Sequence, residues 1–66
     1  YRLAANQQCK LKVYNDRTGA WYGTECIPED CTVPFETDKH SNIVLQPGNY
    51  VLRFDPNTNV ISLEAE

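Results

Sequence analysis

Asn49-Tyr50-Val51-Leu52-Arg53-Phe54-Asp55-Pro56-Asn57-Thr58-Asn59-Val60-Ile61-Ser62-Leu63-Glu64-Ala65 is the stretch that decides the fold. Apolar residues alternate on both sides of a turn, which is the period of half-buried strands. Pro56 presets φ for the turn, and Asn59 tolerates the left-handed conformation that closes it. With 56–59 as the loop, Asp55 faces Val60, Phe54 faces Ile61, Leu52 faces Leu63 and Tyr50 faces Ala65. Those last three pairs then share one face, while Arg53 with Ser62 and Val51 with Glu64 take the other. A slip of one residue would exchange the faces, so the pattern specifies the register.

The same turn grammar occurs upstream. Asn15-Asp16-Arg17-Thr18-Gly19 matches Asp55-Pro56-Asn57-Thr58-Asn59: an Asx first, Thr fourth, and a residue that accepts positive φ fifth. Aligned in the same way, Tyr14 faces Trp21, Val13 faces Tyr22, Leu11 faces Thr24, Lys10 faces Glu25 and Cys9 faces Cys26. Cys9, Leu11, Val13, Tyr22, Thr24 and Cys26 fall on one face; Lys10, Lys12, Tyr14, Trp21 and Glu25 fall on the other.

Between the hairpins, Cys31–Phe35 and Asn42–Gln46 read as short strands, with Pro34 marking the first as an edge. The loop 37–41 joins them. Residues 1–7 have no clear period and read as a flexible tail, leaving 8–66 as a single small β domain. The segment Leu45-Gln46-Pro47-Gly48-Asn49-Tyr50 reads as a type II turn, with Pro47 second and Gly48 third. This Leu-x-Pro-Gly-x-Tyr segment, followed by an alternating strand, resembles a strand connection of extracellular β-sandwich modules such as fibronectin type III, transthyretin-like and bacterial starch-binding modules. The resemblance covers 12 or so of the 66 residues. It implies an extracellular β module in which Tyr50 bonds back to the backbone of the turn, as in a tyrosine corner. It implies nothing about ligand.

The chain has 66 residues, and domains of this size bury only ~60% of the surface the unfolded chain exposes. Such a core calls for a staple, and the three cysteines, Cys9, Cys26 and Cys31, supply one. The hairpin register favours Cys9–Cys26, because opposed strand residues lie ~4.5–5.5 Å apart at Cα, within the ~4.4–6.8 Å that a disulfide spans. Cys26–Cys31 across Ile27-Pro28-Glu29-Asp30 is the rival. A disulfide places the chain in an extracellular, periplasmic or outer-surface location. The chain opens on Tyr1 rather than Met, which fits a processed or trimmed product whose removed part held a signal peptide, a lipid-anchor cysteine or further domains.

Formal charge is −3, and the basic residues Arg2, Lys10, Lys12, Arg17, Lys39 and Arg53 are scattered. This argues against nucleic acid, which needs a concentrated basic surface, and against docking on anionic lipid. No apolar run reaches the ~18–20 residues of a membrane span. The single histidine, His40, lies in the polar run Asp38-Lys39-His40-Ser41, a solvated loop rather than part of a Cys31–His40 catalytic pair. Glu25, Glu29, Asp30 and Glu36 read as surface charge, since paired-carboxylate chemistry needs a deep cleft. Cysteine and histidine lack the short spacings of zinc sites, and the Asp-x-Asp-x-Asp-Gly calcium pattern is absent. The expectation is therefore no enzyme, no metal and no cofactor.

Lys12, Tyr14 and Trp21 form the candidate binding set. A Trp and a Tyr beside a basic residue make a hot spot for a protein partner; with Tyr22, Asn15 and Asp16 they could instead stack on a sugar. The competing reading is a second small core in which another segment covers Trp21. The overall expectation is an all-β fold, a small antiparallel sandwich or barrel of roughly five to six strands built from two hairpins and stabilised by a disulfide. Its expected function is non-catalytic protein interaction, as an inhibitor, receptor-blocking, adhesin or assembly module, with a small carbohydrate-binding module as the alternative. A dimer through Cys31 or an edge strand would be the oligomeric form.

Overall fold

In the computed structural model, which describes residues 1–66, the strands are β1 (Arg2–Ala5), β2 (Cys9–Leu11), β3 (Val13–Asn15), β4 (Ala20–Tyr22), β5 (Glu36–Thr37), β6 (Ile43–Leu45), β7 (Gly48–Asp55) and β8 (Val60–Ala65). The one helical element is a 3-10 turn at Thr24–Cys26. The strands form three small antiparallel sheets, ordered β1-β7-β8, β2-β6-β5 and β3-β4. The fold is thus all-β, with more and shorter strands than the sequence pattern implied.

Both hairpin turns close as their sequences require. In β7–β8, Asp55 pairs with Val60, Phe54 with Ile61, Leu52 with Leu63 and Tyr50 with Ala65. The Asp55 carboxylate accepts the Asn57 N–H at 2.9 Å. The Asn59 N–H donates to the Asp55 carbonyl at 2.7 Å, and Asn59 takes φ 59°. The β3–β4 turn repeats each feature. Asn15 Oδ1 accepts the Arg17 N–H at 3.0 Å, Gly19 N–H donates to the Asn15 carbonyl at 2.8 Å, and Gly19 sits at φ 73°. The Asx side chain holds the loop start, and the residue with positive φ reverses the chain.

The first hairpin is shorter than its alternation suggested. Pairing runs only from Val13–Tyr22 to Asn15–Ala20. Upstream of Lys12 the chain leaves this partner, and β2 joins β6 instead, with Cys9 opposite Leu45 and Leu11 opposite Ile43. The other arm is captured at Gly23, where the Ser41 carbonyl accepts the Thr24 N–H at 3.0 Å. A Cβ at residue 23 would overlap that carbonyl oxygen, so only glycine allows the approach. The chain then turns through the 3-10 segment and carries Cys26 away from the position opposite Cys9. The expected Cys9–Cys26 disulfide does not form, and Cys9, Cys26 and Cys31 are all unbonded and half-buried.

Three other expectations are corrected. Residues 2–5, read within a flexible tail, form an edge strand paired to β7, with Leu3 opposite Tyr50. The alternation Tyr1-Arg2-Leu3 places Leu3 on the face of Tyr50, where it packs against the core. Residues 31–35 are not a strand: Pro34 lacks an N–H, the segment is irregular, and pairing with β6 begins only at Glu36–Val44. Gly48 starts β7 at φ 156° rather than near the ~80° of a type II turn. The Tyr50 ring lies over Gly48, where a Cβ would stand 3.1 Å from the phenol oxygen. The back-bond expected of Tyr50 does form: its hydroxyl donates to the Gln46 carbonyl at 2.7 Å.

Val33, Ile43, Leu45, Tyr50, Leu52, Ile61 and Leu63 make the core, with Leu11, Val13, Tyr22 and Phe54 packed half-buried against it. Ile43-Val44-Leu45 is buried on both faces, as a continuous apolar run in a central strand should be. Tyr22 meets Phe54 at a ring-centroid distance of 5.3 Å, which joins the two hairpins through their apolar faces.

Leu52 and Leu63 face each other across β7–β8 and are both buried. Truncating either to Ala should cost about 2–5 kcal/mol, a large share of the stability of a small domain. Thermal melts of Leu52→Ala and Leu63→Ala should show a large fall in Tm or no transition; an unchanged Tm would refute this packing.

Candidate interaction surface

The β3–β4 hairpin presents its two faces as the alternation requires. Val13 and Tyr22 turn toward the core, while Tyr14 and Trp21 turn outward. Tyr14 is 50% exposed and Trp21 60% exposed, so no second core covers the tryptophan. The two residues are directly opposed, with ring centroids 4.6 Å apart and planes tilted by 45°. Edge-tilted aromatic pairs at this distance are attractive beyond their buried area. Each ring therefore limits the freedom of the other although both are exposed.

Lys12 lies in the break between β2 and β3 and is half-buried. Its Cε approaches Gly23, where a Cβ would come within 3.1 Å. The stem thus packs on the hairpin base, and the ammonium makes none of the ion pairs, which are Arg2–Glu66, Lys10–Asp38 and Arg53–Glu64. The structure thus brings together Lys12 and Tyr14, which line one groove with Tyr1, Leu3, Leu11, Val13 and Leu52, while Trp21 flanks it through its contact with Tyr14. The groove has a volume of about 220 Å³ and six of its seven lining residues are apolar. Sequence reasoning missed it, because Tyr1 and Leu3 fell in the assumed tail. The alternation of residues 1–3 is the only local signal, and it is too short to be read without its partner strand.

The hairpin is held in place from below by the 37–42 loop. The Asp38 carboxylate accepts the Asn42 side-chain amide at 2.9 Å, the Asn42 N–H at 3.0 Å and the His40 N–H at 2.9 Å. Lys10 adds an ion pair at 3.4 Å. The Asn42 side chain first, then the backbone amides and Lys10, hold the Asp38 carboxyl well below the usual carboxylate range. The same loop puts Ser41 at φ 61° and aims its carbonyl at Thr24. Thr24 and Thr37 hydroxyls meet at 2.7 Å beside it. Asp38 thereby fixes the end of β4, which carries Trp21.

The other chemistry-bearing residues are dispersed. His40 is exposed on the Asp38 loop. Glu25 accepts the Gly23 N–H at 3.1 Å, and Glu29, Asp30 and Glu36 are exposed. The Cys31 thiol faces the Val33 carbonyl at 3.6 Å. No three His, Cys, Asp or Glu side chains converge as metal ligands would. Burial, then the Glu25 carboxylate, push the Cys26 thiol up. No helix is long and apolar enough to cross a membrane. The fold and surface define a small all-β domain with an exposed aromatic pair beside an apolar groove. No family model, no curated protein and no solved structure matches the chain.

Two measurements check this geometry. The folded pKa of Asp38 lies below its unfolded value of ~3.9, so the unfolded chain binds the proton more readily. Its stabilising contribution is present above that value and is lost as pH falls toward the folded pKa. Acid melts of the parent chain should therefore lose stability below about pH 5, and Asp38→Asn should start lower and fall less steeply; parallel curves would contradict the carboxylate's role. For the thiols, all three cysteines are unbonded, so alkylation of the denatured chain without reductant should modify Cys9, Cys26 and Cys31 alike. Peptide mapping without reductant should recover no peptide linking Cys9 to Cys26; a linked pair would restore the longer hairpin.

Proposed function

We propose that the chain is a non-catalytic protein-interaction domain whose contact surface is centred on Lys12, Tyr14 and Trp21. The observation that carries the reading is the exposed, mutually packed Tyr14–Trp21 pair. Aromatic side chains already packed on one another lose little conformational entropy on binding and fill partner pockets, which is why such residues dominate interface energetics. The unpaired Lys12 beside them adds a cation that would select an acidic or carbonyl-rich partner. The 45° tilt between the rings leaves no flat platform of two coplanar faces, which favours a protein partner over a stacked sugar. An extracellular or envelope location belongs to the same proposal. It is supported by the likeness of the Leu45–Tyr50 connection to extracellular β modules, now that the expected disulfide no longer argues for it. Three sheets around one core are read as an open sandwich.

Trp21→Ala should leave the melting temperature within a few degrees of the parent, because the side chain is exposed. It should weaken partner binding about 30-fold, the factor for a hot spot of about 2 kcal/mol. The comparison is a pull-down from cell-envelope extract with parent and variant, run beside a glycan array. Loss of folding in the variant would move Trp21 into the core and sink the surface reading; glycan binding lost with Trp21 would transfer the surface to carbohydrate.

A further inference from the structure

The edges of the β1-β7-β8 sheet are treated differently. Beside β8 runs the segment 25–32, which shares one cleft with Thr58–Val60 and another with Ser62–Glu64. The outer edge of β1 has no strand paired to it. The Tyr1 N–H donates to the Leu52 carbonyl at 2.6 Å, and the Leu52 N–H donates back to the Tyr1 carbonyl at 2.7 Å. Antiparallel pairs alternate between bonded and non-bonded. Leu3 and Ala5 therefore direct their backbone groups at β7, and Arg2 and Ala4 direct theirs away from it. The N–H and C=O of Arg2 and Ala4 are left unpaired along a short edge that has neither proline nor bulge.

This edge borders the apolar groove. Tyr1 and Leu3 stand on the same face of the sheet as Leu52 and Tyr50, with which they pair. Leu11–Tyr14 form the opposite wall. A strand added to β1 would place alternate side chains on that face, so the residue opposite Leu3 would enter the groove. The groove volume of about 220 Å³ exceeds the ~150 Å³ of an apolar cavity that takes benzene, enough for one large apolar side chain. Lys12 is the one charged residue in the lining and has no carboxylate partner of its own.

We propose that β1 accepts an extended segment of a partner protein as an added strand, with an apolar side chain seated between Leu3 and Val13 and an acidic residue held by Lys12. This rests on the reading of the domain as a protein-interaction module and names the mode of binding and the chemistry of the partner. Main-chain bonds to Arg2 and Ala4 supply affinity, and the groove with Lys12 supplies selection.

The probe is a short, end-blocked synthetic peptide alternating leucine with threonine and carrying one glutamate, added to the full chain labelled with 15N. Amide hydrogen exchange at Arg2 and Ala4 should slow by about tenfold or more, while the amides of Leu3 and Ala5 change little. Backbone N-methylation of the peptide on its pairing edge should abolish the effect. Ala4→Pro removes only an outward donor, a substitution edge strands tolerate, and should abolish peptide binding with Tm retained. Lys12→Glu should weaken binding about tenfold. Arg17→Ala, in the exposed turn of the β3–β4 hairpin, should leave peptide binding intact. Failure of the peptide while partner capture is lost in Trp21→Ala overturns strand addition alone, and peptide binding with partner capture retained in Trp21→Ala overturns the hot spot alone. Peptide binding without protection at Arg2 and Ala4, binding that survives Ala4→Pro, or a concentration-dependent dimer with both amides protected before peptide is added would each overturn the proposal. The last outcome would assign the edge to a second copy of the chain.

Discussion

Ile43 and Leu45 have no solvent-accessible surface, and the other elements are arranged to keep it so. They sit on the central strand of the β2-β6-β5 sheet and reach the side chains of β7 and β8. A chain this short can enclose few residues completely, and hydrophobic burial scales with the area removed from water. Three small sheets solve the problem by each giving one face to a shared core. The demand of β6 for a partner on each side explains why β2 leaves the first hairpin. The observed pairing sets Leu11 beside the fully buried Ile43, where the longer hairpin would set it opposite the polar Thr24.

That exchange creates the candidate surface. Once β2 departs, the β3–β4 hairpin is only three residue pairs long, too short to hold itself. It is held by Tyr22 against Phe54 on one side and by the Ser41–Thr24 bond at its base. Gly23 permits the second contact and Asp38 orders the loop that makes it. Tyr14 and Trp21 are therefore exposed on a support with little freedom, and the break at Lys12 opens one wall of the groove next to them. Exposure and mutual packing together distinguish this pair from aromatic residues that merely fail to be buried.

The connection from β6 to β7 shows how a local motif and a tertiary demand coincide. The chain bends at Pro47, the Tyr50 ring folds over Gly48, and its hydroxyl closes on the Gln46 carbonyl. Tyr50 belongs both to the turn and to the buried core. The turn thereby fixes the relative position of the two sheets whose side chains make most of that core.

Local chemistry determined the two turns and the strand register beside them. Asx, Thr and a residue tolerant of positive φ act through bonds between neighbours in sequence, and the faces of β3–β4 and β7–β8 follow from a period of two. That period alone puts Trp21 and Tyr14 on the face opposite the apolar stripe, with Val13 and Tyr22 on the other. The tertiary structure decided what depends on distant competition for partners: β2 on β6 rather than on residues 24–26, β1 on β7 rather than free, Cys9 opposite Leu45 rather than Cys26. Alternation marks a residue as suited to one face of a strand, but it does not say which strand lies alongside. That choice is made by the total apolar area buried and by close approaches such as Gly23 to Ser41, and both exist only once the chain is folded.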